Sequence, residues 1–161
     1  MFDRFTEQAR TAIVLAQEEA RAGGFIAVEL IHLAVGCLSQ PHSDANRLLA
    51  TLDVAAGSLV DHSRSVPGID QSPATLRLTE PVKRALETSM RLAMTLGNTM
   101  VTSAHVLVGV VAVDPEGEVG GALLGAGADL TRLELTLAQM KPQEFIESGR
   151  QAAGPPQEDK A

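Results

Sequence analysis

The chain is 161 residues long, 45% hydrophobic and only 2% aromatic, with four Phe, no Trp, no Tyr and one Cys. Thirteen basic against twenty acidic residues leave a net charge of −7, which repels phosphate backbones, and too few rings remain to stack bases, so nucleic acid is excluded as a partner. Cys37 alone allows neither an internal disulfide nor a multi-cysteine zinc site, apolar runs fall far short of the ~20 residues that cross a bilayer, and the N-terminus lacks a signal layout, so a cytoplasmic protein without membrane contact is expected.

Small aliphatic side chains at this density suit close-packed helices. A first helix is predicted from Phe5, Ala9, Ala12, Ile13, Ala16 and Ala20, which recur at helical spacing, with Thr6 as its cap and Gly23-Gly24 as its stop. The apolar stretch Leu30–Leu38 follows as a second helix whose start relies on Glu29, then a short helix around Ala45–Leu52 and a fourth around Ala56–Ser65. Pro67, Gly68, Ser72 and Pro73 mark a linker. The series then recurs. Val82, Ala85, Leu86, Ser89, Ala93 and Leu96 form a stripe with Thr79 as cap, Pro81 in the first turn and Gly97 as stop. Ala104–Val113 is the next helix, with Ser103 read as its cap, and shorter helices are expected around Val119–Leu124 and Leu130–Met140.

The recurrence is an internal repeat. Shifting residues 5–36 by 73 onto residues 78–109 gives nine identities without a gap, among them Thr6/Thr79, Glu7/Glu80, Gly24/Gly97, His32/His105 and Gly36/Gly109. The organisation is therefore one all-α domain over 1–146: repeat one at 1–66, linker 67–73, repeat two at 74–146. Eight helices are expected, four in each of two pseudo-twofold-related repeats. Residues 147–161, with Gly154-Pro155-Pro156, are read as a disordered tail or truncated linker.

The ordered landmarks Phe2-x-Arg4-Phe5-Thr6-Glu7, Ala16-Gln17-Glu18-Glu19-Ala20, Gly24 and His32-x-x-x-Gly36 resemble the opening of a ClpC-type N-terminal domain. The second half matches again at Leu86-Glu87, Leu96-Gly97, His105-Val106-Leu107-Val108-Gly109 and Gly127-Ala128-Asp129-Leu130-Thr131-Arg132. The resemblance implies an eight-helix interaction domain that precedes ATPase modules and binds substrates, adaptors, Clp partners and, in actinobacterial members, cyclic-peptide antibiotics. No Gly-x-x-x-x-Gly-Lys-Ser/Thr occurs, so no phosphate-cradling ATPase loop is present in this sequence. The Gly117–Gly127 stretch is read as a turn and a tightly packed short helix.

The family's sharpest chemistry places a Glu immediately before the second-helix His to grip the guanidinium of phosphoarginine. Here Ile31 and Ala104 stand at those positions, so no phosphoarginine binding is expected. His32 and His105 invite a metal or acid–base reading, but no ligand cluster accompanies either. They are expected to be buried helix-start residues bonded to backbone. His42 and His62 are read as loop residues, and Cys37 as a small core residue. Thr6, Thr79, Gly36 and Gly109 are assigned structural roles.

The resemblance also implies a binding face at the starts of the first and fifth helices, matched here by Phe2, Val14 and Glu87, with Leu78 in place of an aromatic. Phe2 either tucks beneath the first helix or stays exposed for a partner. Arg10 and Lys83 are repeat partners that form a candidate basic pair on that face. The expected function is non-enzymatic, without cofactor or metal: binding of substrates, adaptors or Clp subunits in regulated proteolysis. The alternative is a stand-alone decoy that sequesters a cyclic-peptide antibiotic.

Overall fold

The computed structural model describes residues 2–55, 57, 59, 76–141 and 143–144. Among these, seven helices and two two-residue strands occur. In repeat one they are α1 (Glu7–Ala22), β1 (Ala27–Val28), α2 (Leu30–Leu38) and α3 (Asp44–Thr51). In repeat two they are β2 (Arg77–Leu78), α4 (Glu80–Thr95), α5 (Ser103–Val113), α6 (Glu118–Gly125) and α7 (Leu130–Gln139). The fold is all-α. Of the helix expected around 56–65 only residues 57 and 59 are described, both helical, and the tail at 147–161 lies outside the described residues.

The 73-residue shift carries Glu7–Ala22 onto Glu80–Thr95 and Leu30 onto Ser103. Burial follows the predicted stripes: Ala9, Ala12, Ile13, Ala16 and Ala20 in α1, and Val82, Ala85, Leu86, Ser89 and Ala93 in α4. Stripes this narrow belong to helices with one wet face. α2 and α5 are apolar on every side because they run through the middle: α2 is buried from Ile31 to Leu38 and α5 from Ser103 to Val111. α1 packs chiefly on α2, α4 chiefly on α5, and α2 and α5 meet between them.

The repeated glycines set how close those pairs approach. A Cβ added to Gly109 would stand 2.5 Å from the Ala85 carbonyl oxygen and 3.2 Å from the Ser89 amide nitrogen. One added to Gly36 would collide with the Ala12 carbonyl and come within 3.1 Å of the Ala16 amide nitrogen. These are the same contacts shifted by 73, so His-x-x-x-Gly marks where a helix backbone is pressed onto its neighbour. Gly24 and Gly97, at φ 78° and 77°, both end their helices in the left-handed region, where a side chain is strained.

The repeats exchange their leading segments. β1 pairs in parallel with β2, Val28 opposite Leu78, and Phe5 forms a parallel bridge to Val101. The Thr6 amide donates to the Val101 carbonyl at 2.9 Å, and the Thr79 amide to the Val28 carbonyl at 3.2 Å. Each interaction maps onto the other with the repeats interchanged, the reciprocity that a twofold relation demands.

Candidate functional site

The starts of α2 and α5 are built from the same parts. His32 and His105 lie one turn into their helices and fold back. Each Nδ1 accepts the backbone N–H three residues earlier, Glu29 for His32 and Thr102 for His105, both at 2.9 Å. This satisfies a donor at the helix entrance and fixes Nδ1 as an acceptor, which requires the neutral ring. Burial lowers the pKa of both rings: His105 falls to about 4, and His32 falls despite the opposing influence of Glu118. Beyond the caps the repeats part. His105 Nε2 lies 3.0 Å from Asn98 Oδ1, whereas His32 meets Phe25 edge-on, with ring centroids 4.5 Å apart. Phe25 and Asn98 are repeat partners.

One cap assignment is corrected. Thr102, not Ser103, is the N-cap of α5, and its Oγ1 accepts the His105 amide at 3.4 Å. Ser103 is the first helical residue, and its hydroxyl turns to a different task. It accepts the Ala45 amide at 3.0 Å and donates to the Glu144 carboxylate.

Glu144 fills the pocket beside the start of α5. It is buried, and each of its carboxylate oxygens receives two donors. Oε1 accepts from Thr6 Oγ1 at 2.9 Å and the Ser103 amide at 2.8 Å. Oε2 accepts from the Asp44 amide at 2.6 Å and from the Ser103 hydroxyl. Asp44 answers in kind: its carboxylate accepts the Gln143 and Glu144 amides at 3.2 and 3.3 Å, while Arg47 Nη1 bonds it at 2.6 Å. Desolvation raises the Glu144 pKa, opposed by the bonds from Ser103 and Asp44.

The counterpart beside α2 is open. It is a cleft of ≈360 Å³ lined by Phe25, Leu30, His32, Val110 and Val119 and by the exposed Glu29, Asp114 and Glu118. The 73-residue shift puts Leu30 where Ser103 stands, so no hydroxyl reaches in. Thr79, the mate of Thr6, has a buried Oγ1 without a hydrogen-bond partner.

Ile31 and Ala104 are buried apolar side chains and offer no carboxylate. Phe2 is half-buried with its ring edge-on to Phe5, centroids 5.1 Å apart. Val14 is 56% exposed on α1, and Lys83 and Glu87 are exposed on α4. Arg10 Nη1 donates to the Phe5 carbonyl at 2.8 Å, and Lys83 sits 3.4 Å from Glu80. Leu78 lies half-buried in β2, and Thr6 caps α1 through the Ala9 amide at 3.1 Å. Cys37 is fully buried and its thiol pKa is pushed up, first by desolvation and then by Glu144. His42 is exposed, and His62 lies outside the described residues. Among the described residues no group of three or more His, Cys, Asp or Glu is placed to hold a metal, and no helix is long and apolar enough to cross a membrane.

Sequence reasoning did not single out Glu144, Phe25 or Glu118. The one available signal was Ser103 opposite Leu30, a polar residue entering a central helix in only one repeat.

A family model for the Clp repeat (R) N-terminal domain matches residues 4–126. An uncharacterized protein of Mycobacterium tuberculosis is 29% identical over 136 residues, covering 84% of this chain and 53% of its own length. The negative regulator of genetic competence ClpC/MecB of Bacillus subtilis is 30% identical over 155 residues, covering 96% of this chain and 19% of its own length. The chain thus spans about half the length of the first of these relatives and about a fifth of the second. Among solved structures, the N-domain of ClpV from Vibrio cholerae superposes with a TM-score of 0.70 at 16% identity, over 91% of this chain and 87% of that one. A complex of the ClpV N-domain with a VipB peptide gives 0.68 at 15% identity, over 91% and 90%.

Proposed function

The chain belongs to the Clp repeat N-terminal domain family, whose domains are interaction modules, and from that premise we propose that it binds a segment of a partner protein in the open cleft beside α2. The observation that carries this reading is the contrast between two clefts with a common origin. One is filled by a single side chain of the chain itself, and the other is open. A ClpV N-domain of the same fold takes a VipB peptide. The partners here are Clp subunits, adaptors or substrates in regulated proteolysis, in a cytoplasmic setting. In this reading the domain acts by binding alone, and the two His Nδ1 atoms serve as backbone caps at the helix starts.

The lining selects the occupant. Glu29, Asp114 and Glu118 favour a cation, while Phe25, Leu30 and Val110 suit the apolar stem of a Lys or Arg side chain. The same carboxylates repel a phosphate. Arginine phosphorylation therefore weakens binding, in keeping with Ile31 and Ala104 at the positions where the family's glutamates stand.

Calorimetric titration of the full chain with short peptides differing only in a central Arg, phosphoarginine or Glu tests this. The Arg peptide is expected to bind best, and joint Glu29→Gln and Glu118→Gln substitution is expected to weaken it about tenfold. Equal binding of all three peptides, or no effect of the double substitution, overturns the assignment to this cleft. Failure of every peptide, together with a pull-down that recovers no Clp subunit, adaptor or substrate, overturns the interaction reading itself.

The exposure of Val14 and the half-burial of Phe2 favour a second reading, with Phe2, Arg10, Val14, Leu78, Lys83 and Glu87 as a face for a cyclic-peptide antibiotic held as a decoy. Absence of both heat and thermal shift with such a peptide removes it.

A further inference from the structure

Glu144 takes no part in the open cleft, yet it is the most heavily bonded buried acid among the described residues. Four donors converge on it from three separate helix entrances: Thr6 before α1, Asp44 at the first turn of α3, and Ser103 at the first turn of α5. Asp44 returns two bonds to the backbone of Gln143 and Glu144, and Arg47 ties Asp44 to the Lys141 carbonyl at 3.1 Å. Side chain bonds backbone in both directions, so the segment and α3 clasp each other.

The receptor is specific to repeat two. In repeat one Leu30 replaces Ser103 and cannot donate, and the Thr79 hydroxyl is unpartnered where Thr6 donates. A carboxylate in the open cleft would meet Glu29, Asp114 and Glu118 rather than four donors.

We propose that the segment carrying Glu144 is an intramolecular latch, occupying a carboxylate receptor formed by Thr6, Asp44 and Ser103 so that the domain presents one open cleft instead of two. The occupant is fixed by the chain: a Glu whose own backbone amide reaches the Asp44 carboxylate. Withdrawal of Glu144 exposes a second site of opposite preference, one that accepts an acidic peptide. Because this site and the open cleft share no lining residue, the latch stands whether or not the cleft binds a cation.

The test uses the full chain, its Glu144→Ala and Glu144→Gln variants, and a probe peptide spanning residues 141–148 (Lys-Pro-Gln-Glu-Phe-Ile-Glu-Ser). Glu144→Ala is expected to bind the probe saturably, and the unaltered chain at least about tenfold more weakly, because its own segment holds the receptor. A probe with Gln in place of the Glu144 equivalent is expected to lose the binding. Glu144→Gln keeps shape and size, so it serves as the folded reference if Glu144→Ala is too unstable. It too is expected to bind the Glu probe better than the unaltered chain does, and in it the amides of Asp44 and Ser103 exchange with solvent at least about tenfold faster. Equal probe binding by all three proteins overturns the latch, as does a folded Glu144→Gln variant that neither binds the probe nor loses protection at those two amides.

Discussion

The starts of α2 and α5 began as copies, and they differ in what they hold. Both keep the His cap, the glycine contact and the exchanged strand pairing. One is a polar receptor closed by Glu144; the other is an acid-rimmed cleft open to solvent. The lesson is a division of labour within one duplicated framework. Backbone contacts that fix helix geometry are held in both copies, while side chains that look into the pocket are free to change. Ser103 against Leu30 is enough to turn a donor into a wall.

The shared framework breaks first under added volume. Gly36→Ala presses a methyl group into the Ala12 carbonyl, and Gly109→Ala does the same at Ala85. Each is expected to cost about 3 kcal/mol by urea denaturation, the upper range for overpacking. A pair of near-equal losses supports the common framework; a harmless change at either glycine dissolves it.

Acid acts next. The folded pKa of His105, about 4, lies below its ordinary 6.5, and His32 is lowered too. Above the ordinary value both states are neutral and stability is complete. As pH falls from 6.5 the unfolded chain takes up the proton first, so stability drops until the folded ring also titrates near 4. For His105 the span allows at most about 3 kcal/mol. Glu144 works the other way: its raised folded pKa gives a contribution that is complete below its ordinary 4.5 and is lost as pH rises through the folded value. Glu144→Gln removes that offset, so its unfolding free energy is expected to fall more steeply between pH 6.5 and 4 than that of the unaltered chain. Parallel slopes in denaturation series across this range contradict the opposition.

The finest contrast lies in the threonines. Thr6→Val removes a cap and a donor to Glu144, and about 2 kcal/mol of stability is expected to go with them. Thr79→Val removes a buried hydroxyl that bonds nothing, and is expected to be neutral or to stabilise by up to about 1 kcal/mol. Equal melting shifts for the two variants contradict the asymmetry.

The framework was legible in the sequence because it is periodic and local. The stripes from Ala9 to Ala20 and from Val82 to Ala93, the caps and the glycine stops are readable within one window, and the 73-residue shift doubles each signal. The pocket was not legible. Thr102 and Ser103 are both good caps by type, and only the distant Glu144, 41 residues along the chain from Ser103, decides which one caps and which one bonds. Glu144 itself lies beyond the last helical stripe, where no periodicity marks a buried residue. Phe25 and Glu118 lack a signal for the same reason, since their importance arises only where the repeats meet.

The exchange of leading segments bears on how such a chain is assembled. The Val28 carbonyl receives its donor from Thr79, and the Val101 carbonyl from Thr6, so each repeat holds the missing half of the other's pairing. A lone repeat would leave that edge unsatisfied, and two identical lone repeats would satisfy each other as a symmetric dimer. Fusing them turns an encounter between molecules into one within a chain, at a local concentration set by the join instead of by the cell. It also frees the copies to differ, because a dimer of one sequence must carry Ser or Leu at both helix starts, whereas a fused pair carries one of each.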